Sequence, residues 1–392
     1  MLDIPDEPID WRAKGFWAPS GGGPARGASI FDGGFTWPLL TVRESAVRAN
    51  VATMAAYCAR HGFDFAPHAK TTMAPQLLEL QFEAGAWGMT VATPNQALVM
   101  RRLGVPRVLI ANEVLDPAAL RWLAAEVAAG WEVWFQVDSP AGVAAAAGAA
   151  TSAGGHLRVL VELGHAGGRT GVRDLGELEA VARAVAAAPV LTLSGVTGYE
   201  GQLSDEPSVD AFLDELASGV RRLGAAGLLP PVPIVSAGGS AWFDRVTARL
   251  AGAGLGQLIL RSGASVTHDD GFYREKTPFN RVPVEGPLHA AMEMWAQVIS
   301  VPEPGLALAG MGKRDAPFDE GLPIVLDPPT GLTVTKLNDH HCYLRADPGV
   351  PVKPGDLIRF GLSHPCTAFD KWRHIPLIDD ERRLVDVLDT YF

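Results

Sequence analysis

A lysine closes the apolar run FDFAPHAK at residues 63–70, just before a segment of helical pattern, and an amine in that position asks for an explanation. Apolar neighbours disfavour the charged form of Lys70 and can turn it into a nucleophilic amine. Near the other end of the chain, His364 and Cys366 in GLSHPCTAF are separated by one residue, which on an extended segment turns both side chains to the same face. Two such side chains suit one metal ion. A thiolate with an imidazole favours zinc over magnesium or calcium, which prefer oxygen ligands. Taken singly, each feature has a plainer reading, as a surface lysine or as a packed histidine beside a buried thiol. His341 and Cys342 in LNDHHCYL fall on another expected strand, and spacing alone assigns His341 no role.

The elements that must position Lys70 repeat in form. Short β-branched runs end in Gly or polar residues and are followed by Ala/Leu-rich helical stretches. Eight such strands are expected: FAPHAK (65–70), WGMTVA (87–92), RVLIAN (107–112), EVWFQVD (132–138), RVLVELG (158–164), LSGVTGY (193–199), PIVSAGG (233–239) and LILRSG (258–263). That alternation predicts a closed (β/α)8 barrel, with an open doubly wound sheet as the alternative. In a barrel the functional groups sit where strands end. Lys70 ends the first strand, GHAGGRTG puts Arg169 after the fifth, and Tyr199 ends the sixth. The loops SAGGS, with Gly238, Gly239 and Ser240, and RSGAS, with Gly263, follow strands seven and eight, the habitual phosphate site of barrels. The Arg169 loop fits neither a dinucleotide fingerprint nor a P-loop. A lysine amine facing a phosphate-bearing ligand is a combination that pyridoxal phosphate would satisfy.

After about residue 285 the texture changes to strands joined by Pro/Gly turns, as in MWAQVISV, LTVTKL and DLIRFGL. The expected organisation is an N-terminal segment, 1–37, packing on the β domain; a barrel, 38–285, entered through PLLTV; and a mainly β domain, 286–392. The net charge of -11, from 33 Lys plus Arg against 44 Asp plus Glu, and the lack of a basic run argue against nucleic acid. The absence of a signal-peptide pattern and of a transmembrane-length apolar stretch points to a cytoplasmic enzyme with no membrane partner. Cys58, Cys342 and Cys366 are too few for a disulfide framework and read as thiols.

The motif PHAKT with Lys70, the Arg169 loop, GYEG, SAGGS and the C-terminal SHPCTAFDKW together resemble the D-serine dehydratase and D-threonine aldolase family, fold-type III relatives of alanine racemase. The likeness runs from about FTWPLL to the end. It implies that Lys70 binds pyridoxal 5'-phosphate covalently and that Arg169 meets the pyridine nitrogen, leaving the ring a weaker electron sink than an acidic partner would. It further implies Tyr199 beside the cofactor, and Gly238, Gly239, Ser240 and Gly263 near the phosphate. A divalent metal would be held by His364 and Cys366, with zinc favoured and manganese or another divalent ion as the alternative. A homodimer is also implied.

On a D-β-hydroxy amino acid these groups allow two reactions. In β-elimination Lys70 removes the α-proton and zinc assists departure of hydroxide, giving a 2-oxo acid and ammonia; in retro-aldol cleavage the Cα–Cβ bond breaks to give glycine and an aldehyde. Hydroxide is a poor leaving group, so Lewis-acid help matters most in elimination. Within the family His-x-Cys resembles the dehydratases and His-x-Asp the aldolases, which favours D-serine/D-threonine dehydration. An amino-acid racemase would need a second base, commonly a tyrosine, and would leave the His-x-Cys pair without a purpose. A pyridoxal phosphate carrier would lack the β domain. His268, Asp269 and Asp270 in VTHDDGFYREK either line the pocket or cap the next helix.

Overall fold

Helix starts along the middle of the chain are fixed by side-chain caps. Thr93, Ser139 and Asp205 each accept a backbone N–H three residues on, and Asp116 and Asp174 each accept two. Proline at the first position of the helices that follow Thr93, Asp116 and Ser139 adds its pre-set φ. These caps end the βα loops and leave the strands short. The computed structural model describes residues 1–326 and 330–392 and divides into two units. One comprises 1–3, 55–70 and 82–263, the other 4–54, 71–81 and 264–392.

The first unit holds eight parallel strands: Asp64–Phe65, Met89–Val91, Arg107–Glu113, Glu132–Val137, Leu157–Leu163, Leu191–Gly198, Ile234–Ala237 and Gln257–Leu260. Each pairs with the next in sequence from Met89–Val91 onward, and Gln257–Leu260 pairs back to Asp64–Phe65. The ring is joined by Thr90, whose N–H donates to Pro67 O at 2.9 Å and whose hydroxyl donates to Ala66 O at 2.7 Å. The expected barrel is therefore present, and its first strand is shorter than the sequence suggests. Pro67 has no N–H to extend the ladder, and Lys70 lies in a 3-10 turn, Ala69–Thr71, instead of on the strand.

Strand periodicity sorts the side chains of this unit into layers. Ala66, Leu109, Trp134, Leu160, Ile234 and Ile259 pack together as an apolar layer. Two residues further along the same strands, on the same face, stand His68, Gln136, Glu162, Ser236 and Arg261, with Thr197 in register. Gln136, Glu162, Thr197, Ser236 and Arg261 are all buried. A polar layer thus lies directly above an apolar one.

In the second unit the sheet has nine strands and is mainly antiparallel. Met292–Glu303 is its long central strand, flanked by Leu357–Gly361 and by Leu39–Arg43. PLLTV, read from sequence as the entry to the barrel, forms a strand of this sheet, antiparallel to Met292–Trp295 and parallel to Leu377–Ile378. Ala13, Phe16, Ile30 and Phe35 of the N-terminal segment pack on Leu39, Trp295, Ile378 and Leu384. Among the described residues, no helix is long and apolar enough to cross a membrane.

Gly195 shows how tightly the barrel strands approach one another. A Cβ there would lie 1.9 Å from the Ile234 carbonyl oxygen, a backbone atom that cannot step aside. Gly195→Ala is expected to lower stability by about 1–3 kcal/mol or more, seen as a reduced midpoint in thermal unfolding followed by circular dichroism.

Candidate active site

Arg261 organises the barrel's polar layer. Its guanidinium is buried and donates to Thr197 Oγ1, to Gly198 O at 2.7 Å and to Ser236 Oγ at 3.2 Å. Gln136 Nε2 donates to the same Thr197 hydroxyl at 3.2 Å. Burial draws the Arg261 pKa down to about 10, with Glu200 and Glu162 opposing that fall, so the group stays charged at neutral pH. Burial in turn raises the Glu162 carboxyl above its ordinary range, against the pull of Thr170, Arg261 and Arg169. His68 is held neutral, its pKa far below normal through burial and the nearby cations Lys70, Arg261 and Arg169.

Around this layer the loops bring together several residues singled out from sequence. The guanidinium of Arg169, in the loop after Leu157–Leu163, lies 4.0 Å from the centroid of the Tyr199 ring, a cation–π arrangement. Tyr199 fits because its neighbours are glycines: a Cβ at Gly201 would come within 2.3 Å of its hydroxyl oxygen, and one at Gly239 within 2.9 Å of its ring. A Cβ at Gly263 would meet His68 O at 2.5 Å, so the strand-eight loop passes close to the chain segment that carries Lys70. The backbone of Gly238 has φ +100, a conformation that glycine adopts without strain. The N–H groups of Gly238 and Gly239, which sequence reasoning assigned to a phosphate, donate here to the Glu200 carboxylate at 3.2 and 2.5 Å. Ser240 follows directly.

Pyridoxal phosphate suits this unit on its chemistry. Nδ1 of His68 and Oε1 of Gln136 are buried without a hydrogen-bond partner, and a polar ligand answers such atoms. Sequence reasoning missed Arg261, Glu200 and His68. The signal for Arg261 was a charged residue two positions after Ile259, on the same strand face.

In the second unit His364 and Cys366 also come together. They lie on a turn, Pro365–Thr367 being a 3-10 segment, and not on the extended stretch expected from their spacing. His364 has φ +72, rare for a residue with a Cβ and costing about 1–3 kcal/mol. The imidazole Nδ1 lies 2.7 Å from Asp319 Oδ2, and Thr367 Oγ1 donates to Asp319 Oδ1 at 3.1 Å. The hydroxyl of Thr71, the residue after Lys70 in the chain, is 3.6 Å from Cys366 Sγ. Burial alone would lower the His364 pKa, but a hydrogen bond and charge from Cys366, then Asp319, push it up to about 9. Such a field favours positive charge, and one nitrogen with one sulfur donor is a set that zinc accepts. Among the described residues no group of three or more His, Cys, Asp or Glu side chains is arranged around a metal position. Asp319, 45 residues from His364, left no local sequence signal. His341 is exposed beside the buried Cys342, whose thiol burial pushes up to about 12.

Of His268, Asp269 and Asp270, Asp269 accepts from Gly271 N at 2.8 Å and Tyr273 N at 3.0 Å at the start of the helix Phe272–Lys276, whose N-cap position is Gly271. Asp270 is pushed up to about 6 by burial and by Asp269. His268 has φ +48 and is buried, and burial, then His289 and Arg274, bring its pKa down to about 4.

Comparison with known proteins agrees with this layout. Residues 42–253 match the family model described as "Alanine racemase, N-terminal domain", and residues 291–378 the one described as "Putative serine dehydratase domain". A 3-hydroxy-D-aspartate aldolase of Paracoccus denitrificans (strain Pd 1222) is 27% identical over 335 residues, 83% of this chain and 84% of that protein. The crystal structure of D-threonine aldolase from Filomicrobium marinum matches with a TM-score of 0.80 and 24% identity, over 94% of this chain and 98% of that one. D-threo-3-hydroxyaspartate dehydratase from Delftia sp. HT23 matches with a TM-score of 0.75 and 22% identity, over 91% and 97%. These two structures share the fold.

The neutral state of His268 has a thermodynamic consequence. Its folded pKa of about 4 lies below the ordinary value of 6.5, so between those pH values the unfolded chain binds the extra proton. The stability gained is full above pH 6.5 and is lost as pH falls toward 4, on the order of 3 kcal/mol. His268→Asn, which tolerates the same backbone conformation, is expected to flatten that part of the profile, as measured by urea unfolding at a series of pH values.

Proposed function

The chain belongs to the family of D-serine dehydratases and D-threonine aldolases, fold-type III relatives of alanine racemase, and on that premise we propose that it is a pyridoxal phosphate-dependent lyase acting on D-β-hydroxy amino acids. The reaction favoured is dehydration to a 2-oxo acid and ammonia. The observation that carries this choice is the donor pair His364 and Cys366, two residues apart on one turn, with the imidazole Nδ1 2.7 Å from the Asp319 carboxylate. Pyridoxal phosphate supplies an electron-poor ring that takes up the charge left at Cα when a bond there breaks. A divalent metal, zinc by its ligands, supplies Lewis acidity toward the β-oxygen.

The remaining work falls to side chains. Lys70 holds the cofactor and its Nζ accepts the α-proton. Arg169 presents a permanent positive charge to the pyridine nitrogen, while Tyr199 packs beneath that guanidinium. Arg261 keeps the floor of the barrel site polar, its guanidinium held by Thr197, Gly198 and Ser236. Gly238, Gly239, Ser240 and Gly263 frame the phosphate, with Glu200 fixing the first two backbone groups. His364 and Cys366 hold the metal. The working unit is proposed to be a homodimer.

Retro-aldol cleavage is the second reading, favoured by the 27% identity to a 3-hydroxy-D-aspartate aldolase. Product analysis separates the two. The zinc- and cofactor-supplemented protein is expected to give pyruvate from D-serine and 2-oxobutanoate from D-threonine, with ammonia, and nothing from the L-enantiomers. Glycine with formaldehyde or acetaldehyde would move the assignment to the aldolase.

The role of Lys70 is tested apart from turnover. Borohydride reduction of the cofactor-loaded protein followed by peptide mass spectrometry is expected to add the pyridoxyl mass to the Lys70 peptide. Lys70→Ala is expected to abolish that adduct; an equal yield on another lysine would remove Lys70 from the mechanism.

A further inference from the structure

Histidine 364 adopts its left-handed backbone conformation next to Pro365, which narrows the choices of the preceding residue further. Three side-chain bonds tie the turn to the segment Asp319–Gly321. His364 Nδ1 and Thr367 Oγ1 bond the two oxygens of Asp319, and Ser363 Oγ donates to Glu320 O at 2.6 Å. Gly321, at φ +127, lets the two segments approach, since a Cβ there would lie 2.8 Å from Ser363 Oγ. The rings of Phe272 and Tyr273, with centroids 5.7 and 5.9 Å from that of His364, flank the imidazole. An ionised carboxylate only accepts, so Nδ1 carries a proton toward Asp319 and Nε2 is the nitrogen left to bind a metal.

From this geometry we infer that Asp319 is a positioning residue for the metal: it fixes the tautomer and orientation of His364 so that Nε2 is presented as a ligand, and Thr367 locks the carboxylate in place. The inference rests on the reading that His364 and Cys366 hold a divalent metal. It adds a determinant of metal affinity that touches neither substrate nor metal. A carboxylate behind a ligating histidine raises ligand basicity, and its loss typically weakens binding by about 10–100-fold.

Zinc affinity of the cofactor-loaded protein, measured by competition with a chromophoric chelator, tests this. Asp319→Ala is expected to weaken zinc by about 10–100-fold, and Asp319→Asn, which keeps an acceptor oxygen, by less. In cobalt-substituted protein both variants are expected to keep the thiolate charge-transfer band of Cys366 while the ligand-field bands shift. Thr367→Val is expected to follow Asp319→Asn. Wild-type affinity and an unaltered cobalt spectrum in both Asp319 variants, with His364→Ala losing the metal, would overturn the inference and leave the metal site standing. Undiminished zinc in His364→Ala and Cys366→Ala would overturn the metal reading and the inference with it. Should Asp319→Ala not fold, Asp319→Asn carries the test, with metal-free unfolding midpoints separating loss of fold from loss of affinity.

Discussion

A guanidinium sealed inside a barrel is the constraint around which the first unit is arranged. Removing a charge from water costs several kcal/mol unless partners replace the solvent. Arg261 finds these partners in Thr197, Gly198 and Ser236, with the carboxylates of Glu162 and Glu200 opposing its loss of charge. These partners come from three consecutive strands, Leu157–Leu163, Leu191–Gly198 and Ile234–Ala237, and from Glu200 just after the second of them, so the register of several strands must be right at once. A slip of one residue would turn Ile259 and Arg261 away from the interior and empty both layers together. The loops bearing Arg169, Tyr199 and the glycine pair begin where this polar layer ends, which is how a requirement of folding becomes a requirement of the site.

The second unit meets a different demand. Its donors sit on a turn whose backbone is unfavourable by itself, so neighbouring segments must over-determine it. The bonds to Asp319 and Glu320 do so, and the close approach of Gly321 makes them reachable. A loop held in this way loses little freedom on taking up a ligand, because the ordering has already happened during folding.

Much of the architecture was legible in residue pattern, for identifiable reasons. Runs such as RVLVELG and EVWFQV carry strand propensity and end in capped helices, and they appear within a residue or two of where the pattern set them. FAPHAK was misjudged in extent because Pro67 breaks the ladder, a local fact that composition conceals. PLLTV was misjudged in partnership, since nothing within it reveals pairing with residues 292–295 and 377–378. Among the residues proposed for function, Lys70, Arg169 and Tyr199 of the first unit and His364 and Cys366 of the second stand out by motif. Arg261 and Glu200 do not, because a single charge near a strand end looks like a boundary until the facing strands are known. Asp319 is further removed still, its meaning residing wholly in a contact across 45 residues.

The interrupted composition of the second unit shapes the order in which the protein can be made. Its first portion, 4–54, leaves the ribosome before any barrel strand, yet Leu39–Arg43 waits for neighbours more than 240 residues downstream. The barrel segments 55–70 and 82–263 can close in the meantime, since their strands pair mainly in sequence order. The early strand meanwhile exposes an unpaired edge, and the unit completes only when His374–Ile378 and Leu384–Asp389 arrive. Strand pairing in sequence order thus lets the barrel unit close first, while the second unit waits for both ends of the chain.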